Sequence, residues 1–314
     1  MLLPLCCFSA GILLSALVPV LIRRLASSSS AREVYDDDAD AVLLNLEQPA
    51  TRWFNMGLWA PARSFPDAAA ELCRRVAHAA RLEPNMRICE VGYGSGDSTL
   101  LFEREFSPAS YLGLTSLPGQ HATAVMRAEK QGLPTGRFEL RQGDAAADLD
   151  REPDESFDTV LAVDCAYHFN TRVSFLSSAH RLLAPSGRLA LTDLLLSEPL
   201  SLGHRVLLRL LFFLAGAPFV NFVPPATYRA ELVAAGFDAA SIEMDDISAE
   251  VWPGFCAFVR ERDERLGKTG VLGSKWVGLV RYATVVEWYA GIGDRAQKLR
   301  FYLISAQKKR EKRE

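Results

Sequence analysis

Residues 88–97 read ICEVGYGSGD. An apolar run with β-branched Ile88 and Val91 meets Glu90, then Gly92, Gly94 and Gly96 at alternate positions, then Asp97. The stretch MRICEVG (86–92) reads as a buried strand, and DSTLLFEREF (97–106) as the helix that follows it. Glycines at such a corner admit backbone angles closed to other residues and let the main chain come close to a ligand. Dinucleotide sites use the spacing G-x-G-x-x-G with pyrophosphate at the helix start. Here the last glycine of that spacing is replaced by Asp97, whose carboxylate would repel a pyrophosphate.

Outward from this corner the chain alternates. DAAAELCRRVAHAARL (67–82) has helical period, with Asp67 as a candidate N-cap. SYLGLTS (110–116), RFELRQGDA (137–145), FDTVLAVDCA (157–166) and RLALTDLLL (188–196) read as further strands, and KLRFYLISAQK (298–308) as a last one. GQHATAVMRAEKQGL (119–133) and TRVSFLSSAHRLLAPSG (171–187) read as helices between them. Strands separated by single helices predict an α/β, doubly wound, mostly parallel sheet with helices on both faces. In such sheets ligands lie across the carboxyl ends of the strands, so functional residues are expected just after each strand.

With these pieces in place, ICEVGYGSGD resembles motif I of class I S-adenosylmethionine (SAM)-dependent methyltransferases, [VIL]-L-[DE]-x-G-x-G-x-G. The resemblance runs over roughly 50–308. GLTSLPGQ (113–120) resembles the G-I-T-x-S-x-x-Q segment of the tocopherol, sterol and cyclopropane-fatty-acid branch. QGDAAA (142–147), FDTVLAVDCAYHF (157–169) and RLLAPSGRLALTD (181–193) are similar to the segments around strands three, four and five. WFNMGLWAPARSFPDAA (53–69) resembles an N-x-G-Y-W stretch that closes over the cofactor, and DDISAEVWPGF (245–255) a D-W-S-x-x-V-x-P-F-W segment.

The resemblance implies a Rossmann-like methyltransferase fold, whose doubly wound, mostly parallel sheet has seven strands, with SAM as cofactor. It implies that Gly92, Gly94 and Gly96 approach the methionine and ribose parts, with Glu90 facing the cationic cofactor directly or through water. It also implies that Asp144 accepts from the adenine amino group, the Ala145 N–H serves the ring nitrogen, and Asp164 sits near the methionine amino group. In the wider superfamily strand two ends in an acid that grips both ribose hydroxyls. Here Thr115 stands there, and its hydroxyl cannot make that bidentate contact. The same branch carries this threonine together with a glutamine near Gln120. Plainer roles stay open: corner glycines, a helix cap at Asp144, surface positions at Thr115 and Gln120, a strand-end cap at Asp164.

Methyl transfer is an in-line displacement, and a base helps when the nucleophile must lose a proton. His168, just after strand four, is the candidate base, its alternative being a histidine packed under a loop. Tyr167 and Tyr228 are weaker candidates for acceptor contacts. SLGHRVLLRLLFFLAGAPFVNFVPP (201–225) is too short an apolar run to span a bilayer comfortably. It reads either as a core or dimer helix or as a lid over a greasy acceptor pocket that rests in the membrane surface, within an insertion over about 200–256.

Residues 1–22 carry no charge and are followed by Arg23 and Arg24. About 22 residues rising about 1.5 Å each span about 33 Å, near the hydrocarbon thickness of a bilayer. The basic pair follows the apolar run, which predicts an uncleaved transmembrane anchor over 1–25 with its C-terminal side cytosolic, the endoplasmic reticulum being the expected membrane. Residues 26–48 then read as a linker and the start of an N-terminal cap, and 49–314 as the methyltransferase domain. A net charge of −3 with no aromatic-laced basic stripe argues against nucleic acid. Six cysteines without a C-x-x-C pair and five scattered histidines suggest neither a disulfide framework nor a metal cage. The expected function is a membrane-anchored methyltransferase acting on a lipophilic small molecule: a prenylated phenol, sterol, fatty-acyl lipid, terpenoid or polyketide. A non-catalytic membrane-tethered scaffold of the same fold and a nucleotide-dependent oxidoreductase are the alternatives.

Overall fold

The computed structural model describes residues 43–47, 50–60, 62–145, 147–197, 200–215, 217–266, 274–291 and 297–309. The anchor expected over 1–25 lies outside the described residues, and among those described no helix is long and apolar enough to cross a membrane.

The strands are β1 Arg87–Val91, β2 Ser110–Thr115, β3 Phe138–Gln142, β4 Phe157–Ala162, β5 Leu183–Leu196, β6 Glu243–Asp246 and β7 Leu299–Gln307. They form one seven-stranded sheet in the order β3-β2-β1-β4-β5-β7-β6, with β7 antiparallel to both of its neighbours. The helices are α1 Phe65–Ala79, α2 Asp97–Phe106, α3 Pro118–Lys130, α4 Arg172–Leu182, α5 Leu202–Ala215, α6 Pro225–Ala234, α7 Ser248–Leu266 and α8 Ser274–Tyr289.

Residue alternation along the strands builds two cores. Ile88, Leu161 and Ala190 face a cluster with Phe65, Leu72 and Val76 of α1, Phe102 of α2 and Trp252 of α7. Their neighbours Cys89, Val160 and Leu191 face the other side, against Phe175 and Ala179 of α4 and Leu232 of α6. Central parallel strands buried on both faces are therefore continuously apolar, as the sequence shows.

The sequence did not reveal helices α6 and α8, and α1 is capped by Ser64, which accepts the Asp67 N–H, rather than by Asp67; further differences have a clear physical cause. Helix α4 stops at Leu182 rather than near Gly187, because 183–187 already pairs with β4 through Phe157 and Leu183. Pro185 cannot continue a helix there. Strand β6 (EMDD) is short and acidic and gains strand geometry only from β7. Helix α7 runs through Pro253. Near that proline the Glu250 carbonyl accepts the Trp59 N–H at 2.9 Å, and Trp59 lies against Gly254, where an added Cβ would come within 2.2 Å of its ring.

The corner after β1 is held by one ion pair. Asp97, buried at the start of α2, accepts two bonds of 2.6 Å from the Arg127 guanidinium on α3 and a third of 3.0 Å from the Arg52 N–H. Arg127 also donates to the Ser95 carbonyl at 2.7 Å. Removing the cation strands a buried carboxylate. Arg127→Ala is therefore expected to cost about 3 kcal/mol in denaturant unfolding, and a loss well under about 1 kcal/mol would mean that water takes over the cation's role.

Candidate active site

Because β3, β2, β1 and β4 are adjacent and parallel, their carboxyl ends lie along one edge of the sheet. Backbone ties join the loops there. The Gly92 N–H donates to Leu114 O at 2.7 Å, Gly143 N–H to Thr115 O at 2.9 Å, and the Cys165 thiol to Val91 O at 3.2 Å. Gly92, Thr115, Asp144 and Asp164 are thereby brought together at that edge, where open parallel sheets place their ligand crevice.

Gly92, Gly94 and Gly96 all have positive φ, at 84°, 57° and 88°. Their surroundings differ. A Cβ on Gly92 would meet the Cys165 sulfur at 2.5 Å, and one on Gly96 would meet Ala124 of α3 at 3.0 Å. These two glycines are demanded by the protein's own packing. At Gly94 the nearest atom is a ring carbon of Phe54 at 4.0 Å, so this glycine faces the crevice.

The segment 52–59 crosses that crevice as a strap. Asn55 donates to Ala69 O at 3.1 Å and accepts the Gly57 N–H at 3.0 Å. Gly57, at φ 75°, lies against α1, where a Cβ would sit 2.7 Å from Ala68. The Met56 N–H donates to Asp164 Oδ2 at 2.7 Å, which ties the strap to the end of β4. The asparagine, glycine and tryptophan of the N-x-G-L-W stretch thus each have a structural task.

Asp164 has φ 55°, accepts the Tyr167 hydroxyl at 3.0 Å through Oδ1, and donates its N–H to Thr192 at 2.8 Å. Burial raises its carboxyl to about 7, the Met56 and Tyr167 bonds pull it down, and buried Asp193 adds to the rise. Gln120 Oε1 accepts from the buried Thr115 hydroxyl at 3.4 Å, which places the pair at the end of β2. The Asp144 N–H and carbonyl are both taken by Asp148, at 2.7 and 2.8 Å, closing the turn that presents Asp144 and buried Ala145. These groups are of the kinds SAM requires: a glycine with open space beside it, a carboxyl that could pair with an ammonium, and polar groups at two neighbouring strand ends.

Glu90 lies deeper than these. It is buried, and its carboxyl accepts from the Tyr111 hydroxyl of β2, which also pairs with Thr99 of α2 at 2.9 Å. Its observed partners are therefore protein groups under the loop. His168 sits in the turn Ala166–His168, its ring centroid 4.4 Å from that of Tyr167. Asn221 holds this turn by donating to Tyr167 O at 3.1 Å and Phe169 O at 2.7 Å. Tyr228 is not at the crevice. It is fully buried under the Arg172 guanidinium, 4.2 Å from the ring centroid, in a cluster with Asp193 and Glu231. Arg127, Cys165 and Asn221, and the pairing of Asp97 with Arg127, escaped the sequence reading because the partners are remote in sequence.

Burial, the largest cause, lifts the Glu90 carboxyl from 4.5 to about 7 against the pull of the Tyr111 and Ser98 hydroxyls. Between these values the folded chain keeps a proton that the unfolded chain has released. The resulting stabilisation is complete below about pH 4.5 and is lost as pH rises through about 7. Glu90→Gln should therefore flatten the stability profile between about pH 4.5 and about pH 7 by on the order of 2 kcal/mol. Parallel profiles in urea titrations would place this carboxyl's proton affinity elsewhere.

Comparison with known proteins agrees with this geometry. Residues 89–191 match the family described as Methyltransferase domain. Erythromycin 3''-O-methyltransferase of Saccharopolyspora erythraea is 31% identical over 236 residues, covering 73% of this chain and 75% of that protein. Among solved structures, the [4+2]-cyclase SpnF aligns with a TM-score of 0.67 at 21% identity, over 90% of this chain and 97% of that one. Mycolic acid cyclopropane synthase CmaA1, complexed with S-adenosylhomocysteine and CTAB, aligns with a TM-score of 0.67 at 16% identity, over 88% and 97%. The corner at Gly94, the strand order and the relative that spans most of both chains lead to one conclusion: this chain belongs to the SAM-dependent methyltransferases that act on small molecules.

Proposed function

We propose that this enzyme transfers a methyl group from SAM to a hydroxyl of a lipophilic small molecule, at a membrane to which residues 1–25 anchor it with the catalytic domain in the cytosol. The observation that carries the catalytic part is the crevice at the ends of β1, β2, β3 and β4, where Gly94 has open space beside it and Asp164 accepts the Met56 N–H of the strap. The erythromycin relative supports a hydroxyl as acceptor. The charge-free run before Arg23 supports the anchor, with the endoplasmic reticulum as the expected membrane.

When bound, SAM supplies an electrophilic methyl carbon on a sulfonium. The chain's own contribution is position and charge. Gly94 lets the backbone approach the ligand. Asp164, once deprotonated, faces its ammonium; Thr115 and Gln120 address the ribose; Asp144 and Ala145 address the adenine. The strap closes the crevice and excludes water. His168 would take the proton of the acceptor hydroxyl, whose oxygen gains the methyl group as the methyl–sulfur bond breaks and S-adenosylhomocysteine leaves.

Calorimetry with S-adenosylhomocysteine tests the cofactor site. Binding is expected to tighten as pH rises from about 6 to about 8, since the Asp164 carboxyl near 7 must lose its proton to pair with an ammonium. Asp164→Asn should flatten that dependence. Gly94→Asp should abolish binding while the protein stays folded, because aspartate tolerates positive φ and adds a side chain only on the open side. Binding of NADH in place of S-adenosylhomocysteine would refute the site. With a lipophilic phenol or macrolide as acceptor, His168→Ala should lower kcat by about 100-fold or more with little change in cofactor affinity; an unchanged kcat removes the base role.

A further inference from the structure

The outer face of α5 is apolar where a solvent-facing helix is ordinarily polar. Leu202, Val206, Leu210 and Phe213 recur at helical spacing as one stripe, with Leu202 at 79%, Val206 at 63% and Phe213 at 61% exposure. Val220, at 63%, extends the stripe into the following turn. The opposite face is spent on the core, where Leu208 and Phe212 are buried. Arg205 and Arg209 are exposed beside the stripe, and no Asp or Glu occurs anywhere from 202 to 225.

This charge pattern selects the partner. A second copy packed through the same face would set these arginines against their own symmetry mates with no acid in the segment to offset them. An anionic lipid surface offers the complementary charge and takes up the apolar stripe. The location also fits. The Phe212 ring stacks on Phe222 with an interplanar angle of 7°, Phe222 lies 6.5 Å from the Tyr167 ring, and Asn221 beside it holds the turn of His168.

We propose that α5 and the turn after it dock on an anionic phospholipid bilayer, with Leu202, Val206, Leu210, Phe213 and Val220 at the boundary of headgroups and acyl chains and Arg205 and Arg209 among the phosphates. This contact is separate from the 1–25 anchor. It deepens the proposed reaction, and rests on it, by bringing a lipophilic acceptor out of the bilayer onto the His168 side of the site.

Hydrogen–deuterium exchange of the full chain, with and without vesicles of phosphatidylcholine containing phosphatidylglycerol, tests it. Exchange across 202–220 should slow by about threefold or more on the vesicles. Val206→Ser combined with Leu210→Ser and Phe213→Ser should remove that slowing, and Arg205→Gln with Arg209→Gln should weaken it, both variants keeping parental affinity for S-adenosylhomocysteine. Should the serine variant lose that affinity, the arginine variant alone decides. Unchanged exchange across 202–220 in vesicle-bound protein overturns the proposal. Protection already present without lipid also overturns it: if it grows with protein concentration the occupant is a second copy, and if not, it is another part of this chain. Failure of the parent protein to bind S-adenosylhomocysteine counts against the methyltransferase reading alone.

Discussion

The carboxylate of Asp97 is the point on which the site depends. It is buried at a helix start, where the helix dipole favours a negative charge, and it gathers three donors from two remote segments. One of those segments is α3 and the other begins the strap. A three-glycine corner has wide backbone freedom when unfolded, and fixing it is entropically costly. The Arg127 fork on Asp97 and Ser95 offsets that cost and sets the distance between the corner and the end of β2. Because α3 is drawn in so closely, Gly96 can carry no side chain beside Ala124.

A second set of constraints shapes the crevice's chemistry. Glu90, Asp164 and Asp193 lie at or beneath the strand ends, and burial raises all three carboxyls. Asp193 is partly compensated by Arg172, whose other nitrogen pairs with Glu231 at 2.6 Å. Glu90 is compensated only by hydroxyls. Such a floor favours a cationic ligand over an anionic one, which suits a sulfonium with an ammonium and opposes a pyrophosphate. The sequence argument against dinucleotides invoked Asp97. In the folded chain its charge is already neutralised by Arg127, so the exclusion falls instead to the buried carboxyls on the sheet edge and to the close approach of Cys165 and α3 to the corner.

The strap and the insertion act from opposite sides. The strap is fastened to α1, α7 and Asp164, so it presents Phe54 over the corner at Gly94. The insertion is fastened through Asn221 to the turn that carries His168. The groups proposed for the cofactor and those proposed for the acceptor are thus positioned by different parts of the chain, and Asp164 and Tyr167 join them through one hydrogen bond.

The sequence by itself determined the sheet, its parallel core and the place of the candidate site. Buried strands read as apolar runs, the intervening helices carry their own periodicity, and in a parallel sheet ligand-facing residues must follow strand ends. Those are local signals, so Gly94, Thr115, Asp144 and Asp164 could be placed in advance. Only the tertiary structure decided what each one faces. Cys165 meeting Gly92, Tyr111 meeting Glu90, Arg127 meeting Asp97 and Asn221 meeting Tyr167 are contacts between segments remote in sequence, and no local pattern encodes them. For the same reason Tyr228 belongs to the core, β6 exists only through β7, and α7 continues past Pro253 with Trp59 seated against Gly254: packing, which sums over the whole fold, overrode local preference at each of these positions.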